Sequence, residues 1–93
     1  MTTLAEIRIV PIGTDVSVRD EIRSARAVLE RSGLRVEPHA TGTNVEGELS
    51  RVLDAVRAIH DRLHGDGVPR VLTTVTIDSR TDKDTDLDAA ATT

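Results

Sequence analysis

Aromatic side chains are absent from this sequence, and their absence limits how its core can be built. None of the 93 residues is Phe, Tyr or Trp, and each missing aromatic forgoes roughly 150 to 250 Å² of buried surface. The core must therefore come from branched aliphatic side chains, of which there are 6 Ile, 8 Leu and 11 Val. Because a chain this short gains little from burial alone, contact with partner subunits is expected to help stabilise it.

Composition also limits which cellular compartment and which classes of partner are expected for the protein. Cysteine is absent, which disfavours a disulfide-stapled secreted domain and favours the cytoplasm. Neither an export signal at the N-terminus nor a run of about 20 apolar residues is present, so no membrane association is expected. The net charge is -4 and the arginines are interleaved with acids, so the sequence shows no basic stripe for nucleic acid.

The hydrophobic pattern in the first third of the chain changes from strand to helix periodicity. Residues Leu4 to Ile12 alternate with a period of two, which predicts a strand with one buried face. Apolar positions with helical spacing then predict a helix from about Val18 until Gly33. Ser17 and Asp20 resemble a capping box at its start.

Four further elements are predicted from the same kind of pattern. The segment 34–40 alternates but contains Pro38, which cannot donate to a ladder, so it predicts an edge strand. Residues 43–46 predict a third strand that completes a hairpin. A stripe of apolar residues between positions 49 and 63 predicts a second helix, and the Val- and Thr-rich run 70–78 predicts a fourth strand.

The order of these elements defines a fold class. A β-α-β-β-α-β order with right-handed crossovers predicts an α+β protein, a ferredoxin-like βαββαβ sandwich with a four-stranded antiparallel sheet and two helices on one face. Residues 1–80 are expected to form this single domain, and residues 81–93 an acidic, mobile C-terminal tail. The sheet face without helices is apolar enough to suit contact with another copy of the chain.

Four short motifs resemble one known family. They are VPIGTDVSV at 10–18, VLERSGL at 28–34, TGTNVEGE at 41–48 and TIDSRTDK at 76–83. In order and spacing they are similar to the YkoF-like thiamine-binding family, formerly a domain of unknown function. This resemblance implies a ferredoxin-like fold, homodimers that join their sheets into homotetramers, and binding of thiamine or its hydroxymethylpyrimidine part without turnover. Members often carry an aromatic near Val36 or Leu72, so ring stacking on the ligand is not expected here.

Two groups of polar residues are candidates for ligand contacts. Thr43, Asn44 and Glu46 lie beside flexible glycines, where they could give a small heterocycle oriented hydrogen bonds, and Glu46 could pair with a cationic thiazolium. Glu37 and His39 alternate with apolar neighbours and should project from one sheet face. The same residues are also explained by ordinary turn chemistry and by ion pairs on an open surface.

Other chemical motifs are weak. The H-E-x-x-H zinc motif is nearly matched by His60, Asp61 and His64. The shorter aspartate replaces the glutamate of the motif and no third ligand is evident, so no metal site is predicted. Glycine-rich phosphate loops are absent from the sequence, so no nucleotide cofactor is predicted. An enzyme that uses His39 with Glu37 or Asp78 is the weakest of the hypotheses.

The sequence therefore predicts a non-catalytic small-molecule binding protein that acts as a homodimer or homotetramer. Its predicted ligand is thiamine or a related pyrimidine, and its predicted contacts are Glu37, His39, Thr43, Asn44 and Glu46. The alternative is a protein-interaction or regulatory subunit with no dedicated metabolite, which would use the open sheet face to dock a partner.

Overall fold

The computed structural model describes residues 2–13 and 19–88 of the chain. Its elements follow one another in the predicted β-α-β-β-α-β order. The strands and helices are β1 (Thr3–Ile12), α1 (Arg19–Glu30), β2 (Arg35–His39), β3 (Gly42–Gly47), α2 (Leu49–Gly65) and β4 (Arg70–Ser79). The predicted capping residue Ser17 lies outside the described residues, so the start of α1 is known only from Arg19 onward.

The four strands form one antiparallel sheet in the order β2-β3-β1-β4. The ferredoxin-like prediction is confirmed, and so is the position of the proline-containing strand β2 at an edge. β1 pairs with β4 along its whole length, from Thr3 opposite Ser79 to Ile12 opposite Arg70. Its pairing with β3 stops at Ile7 opposite Thr43. The second half of β1 therefore has a neighbouring strand on one side only.

The hydrophobic core lies between the two helices and one face of the sheet. Ala5 and Ile7 of β1 and Val45 of β3 supply the sheet side, as the alternating pattern predicts. The buried core residues on or next to the helices are Ala25, Leu29, Leu34, Val52, Ala55, Ile59, Leu63 and Val68. The opposite face of the sheet, which carries no helix and is called the open face below, presents the other residues of each alternating pair.

Some apolar positions predicted to be buried are exposed in the structure. On α2 the buried positions are 52, 55, 59 and 63, whereas Leu49 and Leu53 lie on the flank of the helix and are exposed. On α1, Ile22 is 39% exposed although it keeps helical spacing with Ala25 and Leu29. Ile22 is exposed because β3 begins only at Gly42 and leaves this end of the helix without that strand beneath it.

The first residues after β4 fold back toward the sheet. Leu87 is 7% exposed and Asp88 pairs with Arg35 of β2, although the segment is acidic. Residues 89–93 of the predicted mobile tail lie outside the described residues. Within the described ranges, neither helix combines the length and the apolar content that a bilayer crossing requires.

Candidate functional site

Strand register places most of the predicted contact residues on the open face. Arg35 lies opposite Glu46, and Glu37 lies opposite Asn44, across the β2–β3 pair. Asn44 lies opposite Glu6 of β1. Because directly opposed residues share a sheet face, the side chains of Glu37, Asn44 and Glu46 lie together with that of Glu6. The alternation along β2 adds His39 to this polar cluster.

Arg35 is the centre of an ion-pair network on the open face. Its guanidinium lies 2.8 Å from a carboxylate oxygen of Glu37, 2.8 Å from one of Asp88 and 3.5 Å from one of Glu46. Hydrogen bonding to Arg35 lowers the pKa of the Asp88 carboxyl, and the same bond is the main cause that raises the pKa of Arg35. The expected ion-pair network is therefore present, and one cation in it serves three carboxylates.

Glu46 also holds the C-terminal segment. One of its carboxylate oxygens accepts a hydrogen bond from the backbone N–H of Leu87 at 3.2 Å. Leu87 is buried although it lies outside the main core cluster. Since Glu46 and Arg35 both project from the open face, this segment covers the β2–β3 end of that face and partly shields Glu46 from solvent.

Acid is expected to release this segment through protonation of Asp88. Its pKa is lowered in the folded protein, so the stabilisation it gives is fully present above the ordinary aspartate pKa of about 3.9 and is lost as the pH falls through the lower folded value. The backbone N–H signals of Leu87 and Asp88, followed by NMR between neutral pH and about pH 2, should shift in that window. Asp88→Asn should show the released position already at neutral pH. A profile that is unchanged in Asp88→Asn would show that the Asp88 carboxylate does not hold the segment.

His39 is oriented by contacts on both ring nitrogens. Nδ1 accepts the backbone N–H of Thr41 at 3.4 Å, which leaves the proton of the neutral ring on Nε2. Nε2 lies 3.3 Å from a carboxylate oxygen of Glu6. The pair of contacts fixes the imidazole at the β2–β3 turn, on the border between the open face and the end of β3.

A recess lies beside β1, at the point where this strand extends past the β2–β3 turn. Its volume is about 530 Å³, within the range of about 300 to 1,000 Å³ that is typical of small-molecule sites. Apolar side chains from β1 and α1 form most of its wall, and the turn contributes polar groups. The described residues that line it are Ile7, Arg8, Ile9, Val10, Ile22, Ala25, Arg26, Leu29 and the segment 39–43.

The β2–β3 turn is fixed against β1 at this recess. The Arg8 Nε–H donates to the Thr41 carbonyl at 2.9 Å. A Cβ added at Gly42 would lie 3.0 Å from the Ile7 carbonyl oxygen and 3.4 Å from the His39 ring. The close approach of the turn to the strand therefore leaves little space for a side chain at position 42, and the recess has one well-placed polar wall.

Thr43 lies apart from the other predicted contact residues. It is paired with Pro38 and Ile7 on the helix side of the sheet, and it lines the recess. The structure thus separates the five predicted residues into two groups. Glu37, Asn44 and Glu46 lie on the open face only, Thr43 lines the recess, and His39 belongs to both.

The histidine pair of α2 takes part in structural contacts. His60 Nε2 lies 2.7 Å from the Thr73 hydroxyl, and His64 Nδ1 lies 2.8 Å from the Val68 carbonyl oxygen. These bonds tie α2 to β4 and to the loop that follows the helix. Over residues 2–13 and 19–88, no group of three or more acidic or histidine side chains is placed to hold a metal ion.

The last of the four family motifs, TIDSRTDK at 76–83, also contains a local ion pair. The Arg80 guanidinium donates two hydrogen bonds to the Asp82 carboxylate, at 2.6 and 2.8 Å. The pKa of Arg80 is raised and that of Asp82 is lowered, mainly by this hydrogen bonding. The pair joins two exposed residues just after β4, away from the recess.

The recess residues of α1 were not recognised from the sequence. Helical spacing assigns Ile22 to the apolar side of α1 and Arg26 to its water-facing side, and neither assignment by itself indicates a ligand site. A usable signal was present in the strand lengths, because β1 was predicted to be about twice as long as β3. That mismatch requires part of β1 to extend past its neighbour, and the apolar side of α1 then faces an uncovered strand end.

Fold and site together define a small ferredoxin-like protein with a recess of small-molecule size at one end of its sheet. Residues 5–92 match the family model described as thiamine-binding protein, so the chain belongs to this family. The family resemblance of the four motifs is thereby confirmed. The family is named for binding rather than for a reaction.

Individual relatives agree with this assignment. A UPF0045 protein of Synechocystis is 35% identical over 88 residues, which cover 95% of this chain and 73% of the relative. The crystal structure of a hypothetical protein from Methanocaldococcus jannaschii superposes with a TM-score of 0.89 at 33% identity, covering 98% of this chain and 93% of the other. A Thermotoga maritima structure provisionally assigned to thiamine biosynthesis or salvage has a TM-score of 0.84 at 22% identity, covering 99% and 98%. Because the identity is only 22%, this last likeness supports the fold alone.

Proposed function

We propose that this protein binds thiamine or its hydroxymethylpyrimidine part in the cytoplasm, without turning the ligand over, and that it acts as a homo-oligomer. The observation that carries the proposal is the recess at the end of β3, in a chain that belongs to a family named for thiamine binding. An apolar wall with a few fixed polar groups on one side is the usual arrangement of a small-molecule site.

Thr43 and His39 are the proposed contacts within the recess. The Thr43 hydroxyl can donate to or accept from the ring nitrogens or the amino group of a pyrimidine. His39 is held in place by Thr41 and Glu6, so it offers a fixed edge at little entropic cost. Aliphatic side chains rather than aromatic ones cover the faces of the ligand, and shape complementarity replaces ring stacking.

Glu37, Asn44 and Glu46 are proposed as a second group of contacts on the open face. The carboxylates of Glu37 and Glu46 would attract a cationic thiazolium that extends past His39 onto the sheet. Arg35 and the C-terminal segment already engage Glu37 and Glu46, so a ligand in this position has to compete with the Arg35 network. A ligand in the recess would not have to compete with Arg35 or the C-terminal segment for these carboxylates.

Self-association is the remaining part of the proposal. Val10 and Leu72 lie directly opposite each other on the open face and are 43% and 52% exposed. Strand β4 has ten residues and lies at an edge of the sheet, and no strand among the described residues pairs with its outer side. A second copy would cover apolar surface on the open face and pair with an unprotected strand edge.

Thr43→Val is expected to weaken thiamine binding about threefold to tenfold, because it removes one hydrogen bond without changing the size of the side chain. Isothermal calorimetry is the suitable measurement, since the protein has no Trp or Tyr to report by fluorescence. The wild-type protein should saturate at a fixed ratio per chain. Thr76→Val is the matched control, because Thr76 lies on the open face of β4 and does not line the recess.

Glu46→Gln separates the two proposed groups of contacts. If Glu46→Gln weakens binding and Thr43→Val leaves it unchanged, the ligand lies on the open face and not in the recess. If the wild-type protein gives no heat with thiamine or with hydroxymethylpyrimidine, the proposed function is wrong. The exposed Val10–Leu72 pair would then favour the alternative of a protein-interaction subunit.

A further inference from the structure

The charged groups that line the recess are all basic. Among the described lining residues, Arg8 and Arg26 carry full positive charges, and none is an aspartate or a glutamate. The protein as a whole has a net charge of -4, so the recess has a positively charged lining in a protein that is negatively charged overall. An anionic group is the natural complement of such a lining.

From this arrangement, and resting on the proposed function, we infer that the preferred ligand is the phosphate monoester of the pyrimidine or thiazolium alcohol rather than the free alcohol. A thiazolium cation alone is repelled by two guanidinium groups. A phosphate group on the same molecule reverses the sign of that interaction. Guanidinium groups bind phosphate oxygens through paired, charge-assisted hydrogen bonds.

Arg26 is placed to reach into the recess from α1. It follows Ile22 by four residues and precedes Leu29 by three, so the three residues share one face of the helix. No hydrogen bond or ion pair joins Arg26 to another residue within 2–13 and 19–88. Its guanidinium is therefore available to a ligand without breaking an interaction between described residues, and its aliphatic stem can lie along the apolar wall.

Arg8 approaches the recess from the opposite side. Its Nε–H bonds the Thr41 carbonyl at 2.9 Å, which positions the guanidinium at the turn. The nearest carboxylate oxygen, on Glu6, lies 3.8 Å from Nη2, at the limit of an ion pair. Since Glu6 is also in contact with His39, its charge neutralises Arg8 only in part. A bound phosphate would thus face cations on β1 and on α1.

Calorimetry with thiamine and thiamine monophosphate, each at low and at moderate salt, tests the inference. The wild-type protein should bind the monophosphate at least about tenfold more tightly, as two charge-assisted contacts predict, and added salt should reduce this preference. Arg26→Gln should lower the affinity for the monophosphate about tenfold and should not lower that for thiamine, because it removes one of the two guanidinium groups that repel the thiazolium cation. Arg23→Gln is the matched control, because Arg23 is exposed on the same helix and does not line the recess.

Three other outcomes would contradict either the inference or the proposed function. Equal or weaker binding of the monophosphate overturns the inference and leaves the proposed function intact, provided that thiamine binds. Inorganic phosphate that binds as tightly as the monophosphate also overturns it, because the recess would then be a simple anion site. Absence of binding by both thiamine and its monophosphate contradicts the proposed function itself.

Discussion

Leu63→Ala is expected to lower the free energy of unfolding by about 3 to 5 kcal/mol. Leu63 is completely buried in the middle of the core, on the last turns of α2. Its truncation removes apolar contacts and leaves a cavity that its neighbours can fill only in part. For a domain of this size, the loss corresponds to a fall in Tm of roughly 12 to 40 °C. Because natural domains are stable by about 5 to 15 kcal/mol, the variant should be close to its folding limit.

Leu53→Ala is the matched control for this measurement. It is the same substitution on the same helix, but Leu53 is 52% exposed. Alanine is also the better helix former, so the expected change is within about 1 kcal/mol. Urea and thermal unfolding followed by far-ultraviolet circular dichroism suit a protein without aromatics. Equal losses for the two variants would show that the buried side of α2 is wrongly assigned, and a loss in Leu53→Ala that depends on protein concentration would place Leu53 in a subunit contact.

The contrast between these two leucines shows what periodicity can predict. The apolar stripe of α2 is wide, and it includes both Leu53 and Leu63 at helical spacing. Periodicity identifies the helix and its general orientation, but it does not say where the sheet ends beneath it. The exposed Leu49 and Leu53 lie on the flank of α2, and only the position of the helix over the strands determines this.

The strands were more predictable than the contacts between them. Alternation predicts that Glu37 and His39 project from one sheet face, and the structure places His39 Nε2 3.3 Å from a carboxylate oxygen of Glu6 on that face. The face of Thr43 could not be derived in the same way, because a hairpin of four to six residues has no long pattern that fixes its phase. A shift of one residue would exchange Thr43 with Asn44 between the two faces.

The C-terminal segment shows a different limit of sequence reasoning. Residues 81–93 are acidic and small, which is typical of a solvated tail. Leu87 is the one large apolar residue among them, and the structure buries it beside Glu46. Local composition cannot predict this, because the contact depends on Arg35 and Glu46, which are more than 40 residues away in the chain.

The recess beside β1 results from several of the structural features described above. It exists because β1 is longer than β3, because Gly42 lets the turn approach Ile7, and because α1 passes over the uncovered strand end. None of these causes is a motif with chemistry of its own. The basic lining is added by Arg8 and Arg26, which lie far apart in the sequence and on different elements. The proposed ligand selectivity would therefore depend on tertiary structure more than on any one segment.

Gly13→Ala is expected to destabilise the protein by about 2 to 4 kcal/mol through two effects. Gly13 has a φ of 86°, in the left-handed region that side chains with a Cβ rarely adopt. A Cβ at this position would also lie 2.7 Å from Cγ of Pro69, which no relaxed structure allows. Since Pro69 precedes β4, the collision would push apart the paired ends of β1 and β4, where Ile12 faces Arg70.

Gly67→Ala separates the backbone effect from the collision. Gly67 has a φ of 94° and no heavy atom within 4 Å of an added Cβ, so only the strain of about 1 to 2 kcal/mol applies there. The excess loss in Gly13→Ala should disappear when Pro69 is also replaced by alanine, as a double-mutant cycle in urea would measure. Equal losses for Gly13→Ala and Gly67→Ala would mean that Pro69 moves aside at no cost. In that case the junction of β1 and β4 would be soft, and the recess beside the end of β1 would have one less rigid wall.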